Sequence, residues 1–144
     1  MVAACVTYRR ALVTNAAHPE TLAGLGETLV DLGRLQMKQG RREEAAAALT
    51  SAGEVYFRFL QIDPTDTVGL YNMACACALL GRSPECNDYL TRTATAEHAA
   101  GADMAEWART AAADEDLASV AGEAWLQTLL QQAAAAPPAG GAAG

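Results

Sequence analysis

The sequence predicts an all-α protein, and three observations carry that prediction. Helix-favouring runs such as Glu43-Glu44-Ala45-Ala46-Ala47-Ala48-Leu49 recur, no alternating stretch is long enough for a pair of strands, and apolar residues return at helical spacing. The third is clearest over residues 63–81, where Leu70, Met73, Ala74, Cys77 and Gly81 fall at offsets 0, 3, 4, 7 and 11 and share one helix face. With 144 residues, 51% of them hydrophobic, the chain suffices for the core of one domain; with only 6% aromatic residues, small side chains must pack closely to fill it.

The first helix is expected over residues 1–15, with Val2, Val6, Tyr8, Ala11 and Val13 at helical spacing and His18-Pro19 as its stop. It lacks a capping residue and a preceding partner, so either the numbering starts inside a longer protein or this helix docks on something else. Its uncovered side is expected to be a contact surface for an upstream repeat, a second copy or a subunit of a larger assembly.

The second helix, residues 19–40, carries Leu22, Leu25, Leu29, Leu32, Gly33 and Leu35 as its apolar set. Glu20 at its start and Lys38 and Arg41 at its end suit the helix dipole. Gly33 marks a close crossing, expected against Ala45. Gly24 and Gly26, each costing ~1 kcal/mol against Ala in a helix interior, have no explanation at this level. A third helix, 42–62, holds Ala45, Leu49, Ala52, Val55, Tyr56, Phe59 and Leu60 on one stripe and leaves Phe57 off it as an exposed contact. It ends at Asp63-Pro64, because a residue before proline is pushed out of helical geometry.

Pro64 opens the fourth helix and Gly81 closes it. The fifth starts at Ser83 as N-cap and runs through Cys86, Tyr89, Leu90 and Ala94 to about Ala99. Over residues 101–132 a helical cap follows, built on Met104 with Trp107, on Leu117 with Val120, and on Trp125, Leu126, Leu129 and Leu130. Within it Asp114-Glu115-Asp116 reads as a solvated turn or helix start. The tail of residues 133–144, AAAAPPAGGAAG, has nothing to bury and is expected to be disordered.

The net charge of -7 is unevenly placed: up to Arg82 there are eight acidic and eight basic residues, and from Ser83 onward nine acidic residues face only Arg92 and Arg109. Nucleic acid is therefore not an expected partner, since phosphate binding needs a basic face. No apolar run approaches a membrane span, and with no signal peptide visible the expected setting is intracellular, cytoplasmic or organellar. Cys5, Cys75, Cys77 and Cys86 read as small buried residues. Cys75 and Cys77 point ~200° apart on a helix, and only His18 and His98 are available as further metal ligands, so neither a metal nor a cofactor is expected. No His stands beside a Cys or Ser motif, and catalysis is not expected either.

The hairpins repeat. Leu29, Leu32, Gly33, Gly40, Ala45 and Leu49 match Leu70, Met73, Ala74, Gly81, Cys86 and Leu90, each pair 41 residues apart. On this spacing the chain resembles the tetratricopeptide repeat, a pattern of W-x2-L-G-x2-Y, Gly, A-x3-F and Pro with a period of about 34 residues. The excess is about two helical turns, so the stripe survives it. Leu29 and Leu70 stand where the family has Trp, and Gln36 and Cys77 where it has Tyr. YNMACACALLG is similar to the bacterial-type repeat. DEDLASVAGEAWLQTLL is similar to the segment that closes such arrays, with Glu115 in place of a Pro and Trp125 as the aromatic.

The resemblance implies a right-handed stack of antiparallel helical hairpins with a short C-terminal cap. An incomplete repeat occupies residues 1–18 and two full hairpins residues 19–100. It implies a concave groove lined by Val30, Arg34, Met37 and Lys38 from one repeat and Val68, Tyr71, Asn72, Cys75 and Leu79 from the next. Within that groove Arg34 and Lys38, facing Tyr71 and Asn72, would accept an acidic or carboxylate-bearing protein segment. The implied function is a non-catalytic scaffold or adaptor, with a regulatory repeat domain attached to a larger catalytic protein as the alternative.

Overall fold

The structure, a computed structural model, describes residues 18–139. Among them there are six α-helices, one 3-10 helix and no strand: α1 (Pro19–Lys38), α2 (Arg42–Ile62), α3 (Thr67–Leu79), α4 (Ser83–Ala99), α5 (Met104–Ala112), the 3-10 helix Glu115–Val120, and α6 (Ala124–Ala135). The helix expected over residues 1–15, with its contact surface, lies outside the described residues.

Three helices end by one device. Gly40, Gly81 and Gly101 have φ of 75°, 75° and 86°, a left-handed conformation that a Cβ would oppose. Around each, the glycine N–H and the next residue's N–H return to carbonyls of the last turn, as in Gly40 to Met37 and Arg41 to Gln36. The third of these turns, after α4, falls outside the 41-residue repeat.

Helix starts differ from expectation in two places. Pro64 lies in the turn before α3, and the cap is Asp66, whose carboxylate accepts from the Gly69 N–H at 2.8 Å. Ser83 is the first residue of α4 and not its cap. Its hydroxyl is engaged elsewhere, accepting from the Trp125 indole at 2.9 Å and donating to Glu123, and so tying the start of α4 to the start of α6.

Packing explains Gly26 and Gly33. A Cβ on Gly26 would lie 2.7 Å from Cζ of Tyr56, and one on Gly33 would lie 2.6 Å from Cγ of Leu49. The side chain nearest to Gly33 is therefore Leu49, one turn beyond the expected Ala45. As one index rises the other falls, so α1 and α2 run antiparallel. Gly69 against Phe59 and Asn72 against Tyr56 show the same for α2 and α3. Leu35 is 42% exposed and lies off the buried stripe, while Phe57 is 56% exposed as expected.

The first core cluster joins α1, α2 and α3 through Leu22, Leu29, Leu49, Tyr56, Leu70 and Met73. A second joins α3 and α4 to the 3-10 helix and α6 through Ala74, Cys75, Cys86, Leu90, Leu117 and Leu126, with Trp107 and Trp125 packed against it. A third closes α4, α5 and α6 on Ala94, Met104 and Ala133. Because Ala133 is buried there, α6 continues through Ala135, three residues into the stretch expected to be disordered. No described helix is long and apolar enough to cross a membrane.

These contacts reverse the usual helix preference at two positions. Gly26→Ala and Gly33→Ala should lower stability by about 1–3 kcal/mol through overpacking, despite the better helix former. Gly53→Ala, whose Cβ would meet only the Met73 sulfur at 3.9 Å, should raise it by about 0.5–1 kcal/mol. Urea unfolding of the three variants decides the matter; a Gly33→Ala protein as stable as the parent would refute the close crossing.

Candidate functional site

The face shared by α1 and α3 receives a segment from later in the chain. Asp114 caps the 3-10 helix, its carboxylate accepting from the Asp116 N–H at 2.9 Å, and this turn presents two carboxylates to the helices. Arg34 donates from Nε to Asp116 Oδ1 at 2.9 Å and from Nη2 to Oδ2 at 2.5 Å, while its Nη1 holds Asp31 at 2.7 Å. Tyr71 donates its hydroxyl to Asp114 Oδ2 at 2.6 Å. Ser119 adds a hydrogen bond to the Ala78 carbonyl at 3.0 Å. The acidic triplet read from sequence as solvated is thus partly internal: Asp116 is 7% exposed, Asp114 is half-buried and Glu115 is exposed.

The electrostatics follow from this arrangement. The hydrogen bond to Asp116 holds the Arg34 guanidinium charged, with its pKa raised further still. Burial, then the hydrogen bond to Asp114, raises the Tyr71 hydroxyl well above the usual phenol range. Burial, then Asp114 and Asp116, raises the Cys75 thiol. Burial also pushes Cys77 up to about 11 and Cys86 up to about 12. These three cysteines are buried free thiols, as expected.

Of the groove residues named from the sequence, Arg34, Tyr71 and Cys75 are brought together under residues 114–116. Asn72 is turned toward α2, where its Nδ2 donates to the Tyr56 hydroxyl at 2.9 Å. Met37 and Lys38 are exposed in the last turn of α1 and make no hydrogen bond or ion pair with this cluster, and Val68 is 65% exposed at the start of α3. Val30, grouped with them, is buried in the core.

Val68, Tyr71 and Asn72 border a hollow of ≈ 260 Å³ together with Thr93, Glu97 and Trp107. Sequence reasoning missed Glu97 and assigned Trp107 only to the cap core; no signal short of the α4–α5 packing places them beside Val68. A larger hollow of ≈ 680 Å³ lies between α2, α3 and α4, with Gly53, Met73 and Tyr89 in its lining and the exposed Phe57 at its border.

Cys75, Asp114 and Asp116 bring their ligand atoms within 4.8 Å of one another, the spacing of a metal site. The donor set does not suit one. Both oxygens of Asp116 already bind a guanidinium, Asp114 accepts from a phenol, and the thiol is held protonated, so a divalent ion would have to displace Arg34 and deprotonate Cys75.

Arg34→Met leaves the Asp116 carboxylate without its cation and should cost about 1–3 kcal/mol, less than a fully buried pair because the Arg34 side chain is 35% exposed. Adding Asp116→Asn should recover part of that loss in urea unfolding. A cost no larger than the ~0.5 kcal/mol of an exposed helix pair would show that the contact holds nothing in place. Separately, iodoacetamide at pH 8 should leave Cys75, Cys77 and Cys86 unmodified in the folded chain. Thiols raised by folding stabilise the fold fully below their ordinary value of 9.0 and lose that contribution as pH climbs through about 11 and about 12. The melting temperature should therefore be flat to about pH 9 and fall beyond it; a fall that begins at pH 7 would contradict the burial. Comparison with protein-family models, with curated proteins and with solved structures gives no match for this chain.

Proposed function

We propose that this chain is a non-catalytic protein-interaction module, a tetratricopeptide-like right-handed stack of helical hairpins closed by a helical cap. It holds a partner's segment against the inner face of α1 and α3. The observation that carries this reading is that the face already receives a chain segment by side-chain recognition: Arg34 and Tyr71 bind the carboxylates of residues 114–116. Beyond that segment the face stays open past Asn72 to Val68, an apolar residue left 65% exposed at the border of a hollow. Rigid helices with small residues between them suit such a role, since they offer a preformed surface at little ordering cost.

A second reading is favoured by the larger hollow between α2, α3 and α4, where the exposed Phe57 provides an aromatic anchor. It places the partner on the opposite side of the hairpins.

A photo-reactive phenylalanine analogue separates the two. Placed at Val68 in one protein and at Phe57 in another, it should crosslink to one discrete partner from the Val68 position in the native cell extract. Crosslinks from Phe57 alone would move the function to the second hollow, and none from either position would remove the interaction reading from both faces.

A further inference from the structure

The two ends of the α1–α3 face differ in charge. Arg34, the cation at one end, is already bound to Asp116 and Asp31. An acidic segment arriving from outside would have to displace a carboxylate held on the same chain, whose effective concentration is of millimolar order. Among the described residues the open end carries no cation in its lining, Glu97 is its one charged residue, and no ion pair involves it.

The hydrogen-bond inventory there points the same way. Tyr71 donates to Asp114 and Asn72 to Tyr56, while Thr93 and Thr110 donate to the carbonyls of Tyr89 and Glu106 in their own helices. Three of these groups, the hydroxyls of Tyr71, Thr93 and Thr110, therefore have only acceptor capacity left for an occupant, while Asn72 keeps one amide N–H. With the Glu97 carboxylate they make a site whose one charge among the described residues is negative, bordered by the rings of Trp107 and Tyr71. A volume of ≈ 260 Å³ has room for one long side chain and not for a helix. A cation on a flexible apolar stem meets each of these conditions, gaining from the carboxylate, the aromatic rings and Val68 together.

We infer that the hollow bounded by Val68, Tyr71, Asn72, Glu97 and Trp107 is a subsite for a lysine or arginine side chain of a partner protein. The inference rests on the interaction-module reading and names the chemistry of its partner. The wider field agrees with it: from Ser83 onward the chain has nine acidic residues against two basic ones, which draws basic segments in and repels acidic ones.

The test titrates the full chain with three capped hexapeptides of alanine carrying two lysines, two arginines or two aspartates, following the Trp107 indole N–H by NMR. The lysine and arginine peptides should shift this resonance and the aspartate peptide should not. Glu97→Gln should weaken the basic peptides about two- to fivefold, with its melting temperature unchanged. Equal or tighter binding of the aspartate peptide, or unaltered affinity in Glu97→Gln, would overturn the assignment. A random hexapeptide display selection on the same protein keeps the two ideas apart. Binders rich in Lys or Arg that are lost on Val68→Arg support the subsite. Binders lacking both residues yet lost on Val68→Arg refute the basic subsite and leave the interaction reading standing. If no selected binder is lost on Val68→Arg, the face is not a docking surface and both fail.

Discussion

Helix α3 has no side to give to water between Met73 and Ala78, where six consecutive residues are buried, and the rest of the molecule is arranged to meet that constraint. A helix apolar all round is stable only when it is enclosed, and Ala74, Cys75, Ala76, Cys77 and Ala78 are small enough to be enclosed closely. Helix α2 covers one side through Phe59 and Gly53, and α4 covers another, with Cys86 and Leu90 in the same core as Ala74. The third side falls to the 3-10 helix, whose Leu117 and Val120 complete that core. Removing any of the three covers would expose backbone-close alanines and thiols that have no polar group to hydrate.

Closing the third side with residues 114–120 brings two carboxylates into a half-buried position, and this determines what Arg34 and Tyr71 do. An unpaired buried charge costs several kcal/mol, so the carboxylates need partners from helices distant in sequence. Arg34 supplies a planar pair of donors and Tyr71 a single one. Such a pair adds little net stability over an apolar equivalent, because desolvation offsets most of the attraction. Its greater effect is on placement: with both carboxylates held, the 3-10 helix cannot slide along α3 without stranding a charge. The Ser83, Trp125 and Glu123 contacts repeat this logic at the start of α6.

Much of the helical outline was legible in the sequence, because turns and stripes are local. Residues 42–62 were bounded by Gly40 on one side and Asp63-Pro64 on the other, and α2 has those limits. The buried stripe of Ala45, Leu49, Ala52, Val55, Tyr56, Phe59 and Leu60 followed from spacing alone. What escaped depends on partners far along the chain. Gly26 is explained by Tyr56, thirty residues away, and nothing near Gly26 announces an aromatic ring. Asp116 looks like any surface carboxylate until Arg34, separated from it by 82 positions, is seen against it. Likewise Glu97 borders the same hollow as Val68 because the turn at Gly81 returns α4 beside α3, and Trp107 joins it only after the turn at Gly101.

The chemistry expected of Arg34, recognition of an acidic segment, is present in the structure as an internal contact, and this changes what the rest of the face can be asked to do. A groove whose cation is already satisfied does not distinguish partners by their carboxylates, since each would compete with a tethered one. On the interaction reading proposed above, discrimination would then come from the part still open, where Glu97 is the one charged residue among those described and Val68 leaves apolar area uncovered. The sign of that preference is reinforced by distribution as well as by contact: the acidic excess lies in α4 and the cap, the elements that form the far wall of the opening. Screening at physiological salt confines such effects to ~8 Å. Glu97, in the lining itself, lies within that range, whereas charges elsewhere on the cap would steer an encounter more than hold a bound segment.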